Sequence, residues 1–204
     1  MGSGRQHWED VYGSKRETEV SWFQDWPALS LALIREYAPD QAASVIDVGG
    51  GASSLAAELL HAGYADLAVL DISAAALARA KANLGAEAAK IEWIVADITA
   101  WKPARQWQVW HDRAVFHFLT DAASQDAYLR ALHAATSQGA IAIVSGFAPD
   151  GPEKCSGLPV VRYDAASLSK RIGDAFALLA EQREDHRTPG GAVQKFYYAV
   201  LRRR

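Results

Sequence analysis

The sequence predicts an α/β protein built on a doubly wound, mainly parallel sheet in three layers, α/β/α, closed by a C-terminal antiparallel hairpin. Three observations lead there. Short apolar runs alternate with helical stretches from about residue 40 onward, glycine or aspartate stands at or just beyond the ends of the first three runs, and the last two runs follow each other with only a turn between them. Alternating strands and helices place successive strands parallel and cover both faces of the sheet. Two strands joined by a short turn must instead run antiparallel.

The elements follow in order. Residues 7–26 mix Trp8, Tyr12, Trp22, Phe23 and Trp26 with many charges, a pattern that suits a partly helical arm better than a core strand. Pro27 suits the start of a helix, and Leu29, Leu31, Leu33, Ile34 and Tyr37 make an imperfect helical stripe that ends before Pro39. A strand at 44–48 is stopped by Gly49-Gly50-Gly51, and a helix at 53–62 ends at Gly63. The second strand, 67–71, leads through Ser73, a good N-cap, into an alanine-rich helix at 74–84 that Gly85 stops. Strands at 91–95 and 108–112, a helix at 126–136 and a strand at 140–147 come next. The tail has a helix at 165–172 and strand-like runs at 176–184 and 195–201, joined through Pro189-Gly190-Gly191. Residues 149–159, rich in Pro and Gly, read as a long functional loop. We expect one domain over 1–204, with an arm at 1–39 and the core at 40–204.

Composition narrows the class. Half of the 204 residues are hydrophobic and 22% are charged, an ordinary globular balance, while a net charge of -3 offers no bulk attraction for nucleic acid or an acidic membrane. Cys155 is the single cysteine, so neither an internal disulfide nor a cysteine-based zinc cluster can form, and the scattered histidines lack helical metal spacing. With no apolar run of membrane-spanning length, the expectation is a soluble, cytoplasmic protein without a metal.

In a doubly wound sheet, ligands bind beyond the carboxyl ends of the strands. Three features meet there. The glycines after the first strand let the backbone approach a ligand; Asp71, about 20 residues on, stands where a carboxylate accepts from both ribose hydroxyls of an adenosine cofactor. Asp97, beyond the third strand, suits the adenine amino group, with Ile72 and Ile98 offering apolar faces to the ring. Together, Val45-Ile46-Asp47-Val48-Gly49-Gly50-Gly51, Val69-Leu70-Asp71-Ile72-Ser73 and Ala96-Asp97-Ile98 resemble the first three motifs of the class I, Rossmann-like S-adenosylmethionine-dependent methyltransferases. The likeness implies that Asp47 helps hold the methionine amino group, Gly49 and Gly51 border the methionine, Asp71 takes the ribose and Asp97 the adenine. Gly50 departs from the Cys, Ala or Ser commoner at that place. A nicotinamide dehydrogenase would instead prefer glycine at position 54, which is Ser.

The acceptor side must align a nucleophile with the methyl group and exclude water, and needs no dedicated base. The segment after the fourth strand, Trp110 to Leu119, supplies His111, Arg113 and His117. Positive side chains there would favour an anionic acceptor such as a thiolate, unless Asp112 and Arg113 form a structural ion pair. Cys155 and Tyr163, on or beside the loop after the fifth strand, complete the candidate wall, and His186-Arg187-Thr188-Pro189 lies in the final hairpin. Trp8, Tyr12 and Trp22 suit a cover over the sulfonium, held by cation–π attraction. Their segments resemble the aromatic arms of small thiol and thiopurine methyltransferases and of lysine methyltransferases acting on elongation factor and citrate synthase. The expected function is methyl transfer to a small acceptor, an anionic sulfur first; the alternatives are protein-lysine N-methylation and a non-catalytic cofactor-binding protein.

Overall fold

The computed structural model describes residues 2–204, excepting the side chains of Gly2, Ser3 and Glu17. Seven strands form one sheet in the order β3-β2-β1-β4-β5-β9-β8: β1 (Val45–Val48), β2 (Leu67–Asp71), β3 (Ile91–Val95), β4 (Trp107–Arg113), β5 (Thr136–Phe147), β8 (Phe176–Arg187) and β9 (Val193–Arg203). The first five are parallel, and β9 pairs antiparallel with both β5 and β8, as the sequence pattern requires. Order reverses at β1, whose neighbours are β2 and β4, so the carboxyl ends of β1, β2 and β4 surround the topological switch point where ligands bind.

Every residue of β1 and β2 is buried, because helices cover both faces. Ile46 and Val48 enter one apolar layer with Trp107, Trp110 and Phe116, under the helices α5 (Ala122–Ala135) and α6 (Ala165–Ile172). Val45 enters the other, with α2 (Ala28–Tyr37), α3 (Leu55–His61) and α4 (Ala74–Leu84). The remaining helix, α1 (Gly2–Ser14), lies on α4. Among the described residues no helix is long and apolar enough to cross a membrane.

Beyond shifts of one to three residues at other strand and helix ends, three departures from the sequence reading stand out. Helix α5 begins at Ala122, not 126, because Asp121 accepts from the Ser124 N–H and opens a polar first turn that carries no hydrophobic stripe. Strand β5 starts at Thr136, directly after that helix. The loop at 149–159 contains a two-residue hairpin, β6 (Lys154–Cys155) and β7 (Leu158–Pro159), turned by Ser156 and Gly157 at φ 51° and 80°.

The end of β4 is pinned by Asp112, not freed for an ion pair with Arg113. Its carboxylate accepts from Val115 N at 2.7 Å, Phe116 N at 3.1 Å and the Tyr128 hydroxyl at 2.6 Å, and Tyr128 accepts from the Trp110 indole at 2.9 Å. Burial pushes the Asp112 carboxyl up to about 6, against the hydrogen bonds that oppose this. The same clamp holds Ala114 at φ 73°, a left-handed conformation that turns the chain just after Arg113. Tyr128→Phe leaves a buried carboxylate and an indole N–H each short of a partner, so we expect a loss of about 2 kcal/mol in urea unfolding. Unchanged stability would show that Asp112 is held by the backbone alone.

Candidate active site

The cleft opens at the carboxyl ends of β1 and β4. It is lined on one side by Asp47, Gly49, Gly50, Ala52, Ser53 and Leu55, and on the other by His111, Arg113 and the arm residues Tyr12, Val20, Trp22, Phe23 and Gln24, with Pro27 and Ser30 behind. Its cavity is about 70 Å3.

The three glycines are required by their surroundings. A Cβ on Gly49, whose φ is 70°, would fall 1.9 Å from the Val115 side chain; one on Gly50 would fall 2.5 Å from Asp47 Oδ2 and 2.7 Å from the Val69 side chain. The middle position therefore excludes the Ala, Ser or Cys expected there, because the Asp47 carboxylate fills that space. At Gly51, φ 51°, the space is taken by the Tyr12 hydroxyl at 2.6 Å, with Asp71 Oδ2 at 3.4 Å.

Asp47 is held from β4. His111, its register partner, meets Asp47 Oδ1 through Nδ1 at 2.7 Å and Ser30 Oγ through Nε2 at 2.9 Å, all buried. A carboxylate only accepts, so Nδ1 carries a hydrogen. His111 thus lines the cleft while spending both nitrogens on positioning Asp47 and tying it to α2.

Asp71 ends β2 with 6% exposure. Its carboxylate accepts from Ser73 N at 2.8 Å and from Gly51 N, and burial, reinforced by the nearby Asp47 and Glu9 carboxylates, pushes it up to about 7. A desolvated carboxylate with two backbone donors has lone pairs to spare for further hydrogen-bond donors. Tyr12 covers it because α1 is docked on α4: Glu9 accepts from Ser73 Oγ, Ala74 N and Ala75 N, and Arg79 donates to the Tyr12 and Lys15 carbonyls. Asp97 lies beyond β3 and accepts from Thr99 N and Oγ1 at 2.9 and 2.7 Å; Ile98 packs into the core and Ile72 is half-buried. Trp8 meets Tyr12, Trp22 and Phe118 in one aromatic cluster over the cleft.

Arg113 projects from the end of β4 into a polar network. Its Nε donates to the Tyr198 hydroxyl at 3.0 Å, Nη1 donates to the Trp22 carbonyl at 3.2 Å, and the guanidinium lies 4.3 Å from the Phe196 ring centre. Its partner in charge is Glu184, 3.5 Å from Nη2, which is too far for a hydrogen bond, so the buried Nη2 has none. Glu184, Tyr198, Gln24 and Ser30 carry no motif in the sequence; each is recognisable only through the side chain it reaches.

The other sequence candidates stand apart from the cleft. His117 is buried between Phe118 and Phe147, and burial, with Arg113 nearby, lowers it to about 3. It accepts from Phe147 N through Nδ1, leaving Nε2 unpartnered, and supplies no positive charge at neutral pH. Cys155 is buried, and its thiol is pushed up to about 12, which removes the thiolate that a nucleophile needs. Tyr163 stacks on Phe116 and accepts from Gln125 in the core below. His186 reaches the edge as part of an outer opening beside Phe23, Gln24, Asp25, Trp26 and Glu184, and binds the Ser21 carbonyl. No group of histidine, cysteine and acidic side chains among the described residues is arranged to hold a metal.

A family model described as a methyltransferase domain matches residues 45–139, the span from β1 into β5 that carries the glycine turn, Asp71, Asp97 and Arg113. Across that span the chain is similar to methyltransferase domains. No curated protein matches significantly. Solved structures share the fold at low identity. One concerns the conversion of a disulfide bond into a thioacetal group during echinomycin biosynthesis, at 19% identity, TM-score 0.76, covering 98% of this chain and 92% of that one. Another is an S-adenosylmethionine-dependent methyltransferase from Anabaena variabilis, at 16% identity, TM-score 0.75, covering 98% and 95%. A third is the N-methyltransferase NodS from Bradyrhizobium japonicum with S-adenosylhomocysteine, at 14% identity, TM-score 0.66, covering 88% and 89%.

The state of Asp71 is measurable without an acceptor. A carboxyl raised to about 7 in the fold contributes stability that is full below its unfolded value near 4 and is lost as pH rises through 7. Asp71→Asn is therefore expected to raise the Tm of the donor-free enzyme more at pH 8 than at pH 5, while weakening S-adenosylmethionine binding by roughly 10- to 100-fold, the loss of charged hydrogen bonds. Equal stabilisation at both pH values would contradict the shift.

Proposed function

We propose that the enzyme transfers the methyl group of S-adenosylmethionine to a small anionic nucleophile, a thiolate or sulfide, in the cleft beneath the arm. Asp47 with the backbone of Gly49, Gly50 and Gly51 holds the methionine end of the donor, Asp71 the ribose, and Asp97 with Ile72 and Ile98 the adenine. Trp8, Tyr12 and Trp22 cover the sulfonium, and Tyr12 yields the ground before Gly51 to the ribose. The observation that carries the acceptor side is the unpartnered Nη2 of Arg113 on the cleft wall. A buried cationic N–H without an acceptor is costly and is satisfied by an anionic substrate atom. The charges then balance: Arg113 against Glu184, the sulfonium against the thiolate. Water exclusion by the aromatic cluster keeps the thiolate reactive. Among the similar folds, one concerns sulfur chemistry and another N-methylation, so the architecture admits both.

The second reading is methylation of a protein lysine. It is favoured by the outer opening, where Asp25, Glu184 and Asp185 stand beside Phe23 and the exposed Trp26. Labelled donor offered in parallel to sulfide, small thiols, carboxylates and a cell lysate separates the readings: label in volatile sulfur products supports the first, label in a protein band the second, and label in neither a cofactor-binding protein. For a thiol acceptor, Arg113→Ala should lower kcat/KM by roughly 10- to 100-fold, the worth of one charged hydrogen bond, with donor affinity unchanged. Loss of donor binding in that variant would place Arg113 on the wrong side of the cleft.

A further inference from the structure

Arg113 does not face the cleft as a bare cation. Glu184, from the outermost strand β8, has one carboxylate oxygen on the Gln24 amide of the arm at 2.9 Å and the other on the Tyr198 hydroxyl at 3.1 Å, and that second oxygen is the one 3.5 Å from Arg113 Nη2. Tyr198 in turn accepts from Arg113 Nε. The carboxylate is thus fixed by two hydrogen bonds beside a guanidinium, in a side chain only 19% exposed, while stopping short of the hydrogen bond that would fully pair Nη2. Attraction across a few ångströms persists in such a partly desolvated place, but the donor stays open.

We propose that Glu184 is a specificity-determining residue: it subtracts from the positive charge that the acceptor feels at Arg113 while holding the guanidinium and the arm in register. The effect on chemistry is a trade. A fully exposed guanidinium would bind any anion strongly and hold chloride or a carboxylate as readily as a substrate; a partly neutralised one whose Nε and Nη1 are already engaged, leaving Nη2 as its unpartnered nitrogen, demands an acceptor that fits that direction. Gln24 ties this setting to the arm, so the charge is tuned only when the segment bearing Trp22 and Phe23 is in place. The inference rests on the anionic-acceptor reading of the same site.

Its test needs no turnover. The enzyme saturated with S-adenosylhomocysteine is titrated calorimetrically with thiocyanate, a small soft anion that mimics a thiolate. Glu184→Gln, which keeps the shape and an acceptor oxygen for the Tyr198 hydroxyl while its NH2 can donate to a flipped Gln24 amide, is expected to bind thiocyanate about tenfold more tightly than the parent, Glu184→Asp to return toward the parent value, and Arg113→Ala to lose binding in either background. A purely structural Glu184 would instead weaken binding when changed to Gln. Equal or weaker binding by Glu184→Gln, or binding by neither protein, overturns the proposal. Methylation of thiols by the parent enzyme is scored separately, so failure of the sulfur reading and failure of the charge-tuning role give different results.

Discussion

The site depends on a turn of three glycines with no room for a side chain at any of them. Each missing Cβ is replaced by a different part of the molecule: Val115 from the β4 loop at Gly49, Asp47 and Val69 from the sheet at Gly50, Tyr12 from the arm at Gly51. The turn is therefore the place where sheet, acceptor loop and arm are brought into mutual contact, and close backbone approach serves packing as much as ligand binding. Because Asp47 occupies the space at Gly50, its own position is set by that turn and by His111 and Ser30 on opposite sides.

From that contact the charge distribution of the site follows. The positive side chains near β4 are each given a different environment. His111 is committed to Asp47, His117 is neutral between two phenylalanines, and Arg113 faces Glu184. On the donor side the position is reversed, since Asp71 is a buried carboxylate beside two others, Asp47 and Glu9, and waits for donors. The arm spans both sides. It caps α4 through Glu9, covers Asp71 through Tyr12 and reaches Glu184 through Gln24, so donor and acceptor halves share one boundary made of side-chain contacts rather than of sheet.

Much of the donor side was legible because its residues are local in sequence. Asp71 and the glycines stand immediately at strand ends, where chain direction alone decides that they meet a common edge. The acceptor side was less so. His117 and Arg113 are four residues apart and look equivalent on paper, yet a short 3-10 turn after the left-handed Ala114 buries the first and leaves the second at the cleft. Asp112 beside Arg113 suggested an ion pair, but Tyr128, sixteen residues on, and two backbone N–H groups claim it. Cys155 is silenced by burial, a property that a single residue letter does not carry.

Alternating apolar runs, the glycine turn and the paired runs of the tail were enough to determine strand direction, the three layers and the antiparallel ending, because these depend on periodicity and on the length of the connections. They also placed carboxylates at successive strand tips. Which charges survive near the cleft was decided only by tertiary contacts: Glu184 and Tyr198 come from the last two strands, Gln24 from the arm and Ser30 from α2, and Ser30 meets His111 81 positions away, Tyr198 meets Arg113 85 away and Gln24 meets Glu184 160 away. Coulombic and hydrogen-bond energies depend on distances of a few ångströms and on burial, quantities that exist only once the chain has closed on itself.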